Sequence, residues 1–247
     1  MNYVAKTIIA SIDFDGVLAQ GVNAKIKYAK KWFGVDLTLE QTKKQGFNAL
    51  MQKLGKQHTY RDLMDPLNEE HIMEYEVSGD CIPVLKKLYA MGFRFMIITS
   101  RNQHDYPYAV QFVAAKFPDL IEKIHNTRDE PKTKFVQRLK PRVHIDDDIK
   151  KLKQIEECPI ELIYYRQSEN VNKELPAGDK QRIHEAKNWT DISILLEQIK
   201  RSHEAICWKN RWANKWYMID KIWGARQSLS KPELQELLKE YDSFSRR

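Results

Sequence analysis

The chain has 247 residues, 42% of them hydrophobic and 30% charged, which is enough for a well-buried core and ordinary for a soluble globular protein. Its net charge of +7 and pI near 9.1 favour anionic ligands without demanding nucleic acid, and no apolar run approaches the roughly 20 residues of a membrane-spanning helix. Cys81, Cys158 and Cys207 are odd in number and widely spaced, and no His-x-x-x-His pair occurs. A disulfide framework and a cysteine or histidine zinc site are therefore not expected.

In chain order, Thr7 to Ile12 is a β-branched apolar run, short enough for a strand buried in a parallel sheet. A strand this early leaves no room for a signal peptide, and a cytoplasmic location is expected. The run ends in Asp13-Phe14-Asp15-Gly16-Val17, two carboxylates one residue apart beside a glycine breaker. In an open α/β sheet ligands bind beyond the carboxyl ends of the strands, so both carboxylates should face a substrate.

Residues 20–78 read as helical. Ile26, Ala29 and Phe33 mark one helix stopped by Gly34; Thr38 and Gln41 form a capping box ahead of Phe47, Leu50, Met51 and Leu54 at helical spacing. From Gly79 the pattern alternates. Cys81, Val84, Leu85 and Leu88 give a helix ended by Gly92, and Phe93 to Ile98 a buried strand closing at Thr99-Ser100-Arg101. Val110, Val113, Ala114 and Phe117 give the next helix, and Leu120 to Ile124 a short strand. Lys134 to Leu139 is a short helix, Val143 to Ile145 a strand running into Asp146-Asp147-Asp148, and Pro159 to Tyr165 the last strand expected. A polar loop and a helix from Thr190, with Ile194, Leu195 and Ile199 apolar, complete the core near residue 200.

Beyond that point Trp208, Trp212, Trp216, Ile219 and Trp223 recur at helical spacing, and residues 201–226 hold six basic residues against two acidic ones. An aromatic stripe of this period usually packs on a core. Binding of nucleic acid, a membrane surface or a partner protein by this basic stretch is the alternative. Ser230 to Glu233 is a capping box opening a final helix.

The acidic strand ends suggest phosphoryl transfer, which needs an in-line nucleophile, neutralised charge and a proton for the leaving oxygen. Asp13 would attack and form an aspartyl-phosphate, while Asp15 would protonate the leaving group and then activate water. Thr99 and Ser100 would hydrogen-bond the phosphoryl oxygens. Lys134, with Lys132 as its rival, would neutralise charge and hold the nucleophile. Asp13, Asp146, Asp147 and the backbone carbonyl of Asp15 would supply oxygen ligands to Mg²⁺. Asp148 is expected to cap the following helix, Arg101 to pair with a surface carboxylate, and His144 to sit inside its strand.

Together Asp13-Phe14-Asp15-Gly16-Val17, Ile97-Ile98-Thr99-Ser100-Arg101, a lysine before the next strand, and His144-Ile145-Asp146-Asp147-Asp148 resemble the four ordered motifs of the haloacid dehalogenase (HAD) superfamily, over roughly residues 5 to 200. In that superfamily a second aspartate in the first motif marks phosphohydrolases, so the resemblance makes Asp15 a phosphatase signature. Val17 departs from the threonine that many members carry there. The resemblance implies a Rossmann-like three-layer α/β core with a parallel sheet (1–19 and 79–200) and a small helical cap of the C1 type (20–78), to which the residue pattern adds a basic, Trp-rich helical C-terminal extension (201–247). The expected substrate is a phosphorylated small metabolite or nucleotide. A nucleic-acid end phosphate held by the basic extension and a non-catalytic binding module are the alternatives.

Overall fold

The computed structural model describes residues 7–77, 80–128, 130–167, 173–179 and 182–205, with a few positions between 230 and 239. Its frame is a six-stranded, wholly parallel sheet in the order β3-β2-β1-β4-β5-β6: β1 Ile8–Ile12, β2 Phe93–Thr99, β3 Ile121–Asn126, β4 Val143–Asp146, β5 Glu161–Tyr165 and β6 Ile183–Ala186. β1 and β4 lie side by side at the centre, where the order turns back on itself. That is where a doubly wound sheet opens a crevice for a ligand. Between the strands run α4 (Cys81–Ala90), α5 (Tyr106–Lys116), α6 (Lys132–Leu139) and α7 (Ile149–Ile155).

Burial explains the central strands: Ile8, Ala10, Ile12, Phe93, Phe95, Ile97, Ile98, Val143 and Ile145 are all inaccessible or nearly so. Covered on both faces, these strands are continuous apolar runs rather than alternating ones. On one face Phe135 and Val136 of α6 and Leu152 and Ile155 of α7 pack with Ile98, Leu162 and Tyr164. The Phe14 ring meets Phe112 of α5 edge-on at 5.6 Å.

Three helices are inserted after β1: α1 (Val22–Phe33), α2 (Lys44–Lys53) and α3 (Tyr60–His71). Gln20 and Glu76 exchange both backbone hydrogen bonds, at 2.8 and 3.1 Å, and so close the base of the insertion. Gly34 ends α1 in the left-handed conformation that glycine tolerates best. The Thr38 N–H donates to the Gln41 side chain as the capping pattern predicts, but it opens a single 3₁₀ turn. α2 starts afresh at Lys44, burying Phe47 and Met51 and leaving Leu54 exposed. α3 is opened by a reciprocal cap between Thr59 and Asp62.

Three readings of the sequence change. β6 is a strand where only a polar loop was expected, because its Ile-His-Glu-Ala pattern is that of an edge strand with little apolar content. α6 begins two residues early, at Lys132 after Pro131, with a consequence for the site. In the helix over 189–205 the buried apolar residues are Trp189, Ile192, Leu196 and Ile199, while Ile194 is half exposed.

The chain forms two compact units, 1–195 and 196–247. In the second, the Ser230 N–H donates to the Glu233 carboxylate as the capping pattern expects. Trp208, Trp212, Trp216, Ile219 and Trp223, with most of the basic stretch, lie outside the described residues. Among the described residues no helix is long and apolar enough to cross a membrane.

Candidate active site

Asp13 follows β1 directly and is locked to the neighbouring strand by its N–H, which donates to Ile145 O at 2.8 Å. Parallel register brings the adjacent strand ends level with it: Ile12 lies opposite both Ile97 and Ile145, so Asp13, the end of β2 and Asp146 share one edge of the sheet. Thr99 is buried there, its hydroxyl accepting from the Arg101 N–H at 3.3 Å, while Ser100 is exposed.

The carboxylates meet a lysine, and it is Lys132. Its Nζ lies 2.8 Å from Asp13 Oδ1 and 2.6 Å from Asp146 Oδ2, with all three side chains no more than 3% exposed. Lys134, the residue favoured from sequence, points away: it is two-thirds exposed and lies 3.5 Å from Glu130. The helix makes the choice. Two residues along an α-helix turn the side chain by roughly 200°, so 132 and 134 face opposite ways. Lys132 shares its face with the buried Phe135 and Val136 at i+3 and i+4.

Two further cations enter the site that the sequence did not place there. Lys151, on the first turn of α7, places Nζ 3.4 Å from Asp13 Oδ2. The negative charge of Asp13 raises its pKa above the ordinary lysine range against the pull of burial, so it is fully charged at neutral pH. Its spacing of four from Asp147, one helical turn past the strand, was the available signal. Arg101 was expected at a surface carboxylate. It is buried instead, and its Nε and Nη2 donate to the two oxygens of Asp15 at 2.8 and 2.7 Å. Burial, the largest single influence, would raise the Asp15 carboxyl, but the charge and hydrogen bonds of Arg101 together with the charges of Lys25 and Lys151 hold it below its ordinary value.

Asp148 caps α7 by accepting from the Lys150 N–H at 2.9 Å, the structural role expected of it. His144 is wholly buried inside β4. Its Nδ1 lies 2.8 Å from Ser11 Oγ and its Nε2 3.4 Å from Asp146 Oδ2, and burial lowers its pKa, so it backs the aspartate as a neutral ring. For Asp146 itself burial, the largest single influence, acts upward, but Lys132 together with His144 and Lys151 outweighs it and depresses the carboxyl far below the usual range.

A group ionised more readily in the folded chain lends stability that is complete above its unfolded value, near 3.8, and lost as pH falls towards the folded one. Asp146 and Asp15 both have this sign. The melting temperature should therefore hold steady from pH 7 to about 5 and fall below about 4. A melt unchanged down to pH 3 would contradict the ion-paired site.

Carboxylate oxygens of Asp13, Asp146 and Asp147 all lie within 4.8 Å of one another. Asp147 is held over Gly16, whose φ of +79° suits glycine; a Cβ there would come within 2.6 Å of the Asp147 carboxyl carbon. Glycine thus leaves the room that the third carboxylate occupies. Three hard oxygen donors without sulfur or nitrogen fit a divalent cation of the Mg²⁺ type.

Two openings meet over Asp15. One, of about 500 Å³, is lined by Asp15, Lys25, Tyr60, Met64, Asn68 and Arg101. The other, of about 220 Å³, is lined by Asp15, Gly16, Lys25, Asp147 and Lys151 among others. The site is therefore a crevice between the sheet edge and the inserted helices, with anions at its floor and cations around them.

Solved structures share this architecture. A haloacid dehalogenase-like hydrolase from Streptococcus pneumoniae superimposes with a TM-score of 0.53 at 14% identity, over 77% of this chain and 98% of its own. The HAD-hydrolase YfnB from Bacillus subtilis, solved bound to magnesium, gives 0.53 at 12% identity over 77% and 99%. A HAD-superfamily hydrolase from Geobacter sulfurreducens gives 0.51 at 13% over 77% and 96%. No curated protein sequence matches significantly. Residues 6–203 match the family described as 5′ nucleotidase, deoxy (pyrimidine), cytosolic type C protein. With that match over most of its length and the HAD fold around the acidic strand ends, the chain is a HAD-superfamily phosphatase and belongs to this nucleotidase family.

Proposed function

We propose that the protein is a Mg²⁺-dependent nucleotidase that removes the phosphate of a nucleoside monophosphate through an aspartyl-phosphate on Asp13. The carrying observation is Asp13 itself: a carboxylate at the strand end with Lys132 on one oxygen and Lys151 on the other, Lys151 lining the smaller opening and Asp15 lining both. In the first half-reaction Asp15, which takes up a proton as the negative charge of the substrate enters beside it, gives that proton to the leaving oxygen, while an oxygen of Asp13 bonds to phosphorus and the bond to the leaving oxygen breaks. In the second, Asp15 takes a proton from water, the water oxygen bonds to phosphorus, and the bond to Asp13 breaks, releasing inorganic phosphate. Lys132 and Lys151 offset the charge of the nucleophile as a dianion approaches. Thr99 is assigned to orienting the phosphoryl oxygens.

Asp13, Asp146, Asp147 and the Asp15 carbonyl would hold Mg²⁺, which when bound neutralises charge on the phosphoryl group. The inserted helices act in this reading as a cap that sets the substrate. The crevice they form favours a small ester over a polymer end, and Tyr60 and Met64 offer it an apolar surface for a base. The family's description as cytosolic supports a cytoplasmic setting.

A panel of nucleoside monophosphates, assayed for phosphate release with Mg²⁺ and with chelator, tests the reading. Metal-dependent release is expected, and no release from any member would overturn it. Asp146→Ala should raise the Mg²⁺ concentration for half-activity by at least about tenfold, since second-sphere losses alone cost 10–100-fold in affinity. An unchanged metal dependence would remove Asp146 from the ligand set.

A further inference from the structure

Every nitrogen of the Arg101 guanidinium has a partner. Besides the two bonds to Asp15, Nη1 donates to Asn68 Oδ1 at 3.2 Å, and the guanidinium carbon lies 4.8 Å from the centre of the Phe14 ring. Asn68 Oδ1 also accepts from the Tyr75 hydroxyl at 3.1 Å. Asn68 belongs to α3 of the inserted helices and is 2% exposed, and Tyr75 stands just beyond them. A continuous buried chain thus runs from Asp15 through Arg101 to the insertion. The Asp15 side chain is nonetheless 48% exposed and lines the crevice that Arg101 and Asn68 also line.

A carboxylate beside a glycine turn has two free side-chain torsions, and a single hydrogen bond would leave its plane undetermined. A parallel pair of bonds from a planar fork fixes that plane, and the fork is fixed in turn by Asn68 and Phe14. On the reading above, that plane decides whether an Asp15 oxygen meets the leaving oxygen. We infer that Arg101 is a positioning residue that orients Asp15 for proton transfer to the leaving group, with Asn68 making this orientation depend on the seating of the inserted helices. The inference rests on the proposed phosphatase mechanism.

The test compares kcat/KM, which reports phosphoryl transfer to Asp13, for a nucleoside monophosphate and for an activated aryl phosphate. The first needs a proton on its leaving oxygen and the second hardly does. Arg101→Gln should lose about a hundredfold on the nucleotide and no more than a few-fold on the aryl ester. Arg101→Lys keeps the charge but cannot form the fork, so it should show the same split, and it serves if the glutamine variant fails to fold. Asn68→Ala should move in the same direction by about tenfold, the low end of what a lost positioning partner costs.

Equal losses on both esters, or wild-type behaviour of Arg101→Lys, would overturn the positioning role while leaving the phosphatase intact. Wild-type protein that hydrolyses neither ester would overturn the mechanism, and this role with it.

Discussion

Asp13→Asn should abolish turnover, by roughly 10⁴ to 10⁶, while the protein stays folded. The amide has almost the shape of the carboxylate but no anionic oxygen with which to attack phosphorus. Stability should survive for a reason specific to this site. Lys132 keeps its 2.6 Å contact with Asp146, and Lys151, one-third exposed, keeps access to water. Neither cation is left both buried and alone, which is the situation that costs most. Acid quenching during turnover of a phosphate-labelled nucleotide should trap label on the wild-type chain and none on the variant. Retained activity in Asp13→Asn, or equal labelling of both, would exclude the covalent route.

The sheet was largely legible in the sequence because a parallel strand covered on both faces leaves a run that little else produces. β1, β2, β4 and β5 all carry it, whereas β6, with His184 and Glu185 among its four residues, does not. The acidic strand ends were legible for a related reason: Asp13 and Asp146 directly follow or close such runs, so strand position alone places them on one edge.

Cations were harder to place. A lysine reaches its target over four methylenes, and whether it points inward depends on helix phase, which a two-residue error in the start of α6 reverses. Phe135 and Val136 contained the phase, since only Lys132 stands on their side. The pairing of Arg101 with Asp15 spans 86 positions and depends on a helix from the insertion. No local pattern encodes such a contact.

Lys132→Met should be costly in two ways at once, and its comparison with Lys134→Met discriminates between the two lysines. Methionine fills similar volume, so packing against the sheet is nearly kept. It leaves Asp13 and Asp146 buried side by side with their shared cation removed, and breaking a buried ion pair from one side costs about 3–5 kcal/mol. Lys151 reaches only the other oxygen of Asp13 and cannot take over the bridge. The two carboxylates then repel, and one of them is expected to take up a proton near neutral pH. A protonated Asp13 does not attack, so kcat should fall at least 10²- to 10³-fold, as when one preorganised donor is removed from a transition-state site. Lys134→Met removes an exposed partner of Glu130, and both its stability, within about 0.5 kcal/mol, and its activity should match the wild type. The decisive readout is the pair of melts measured at pH 5 and pH 8. If the loss in Lys132→Met comes from two facing carboxylates, the variant's deficit should shrink at pH 5, where protonation relieves the repulsion; a deficit equal at both pH values would mean that Lys132 contributes packing and not charge.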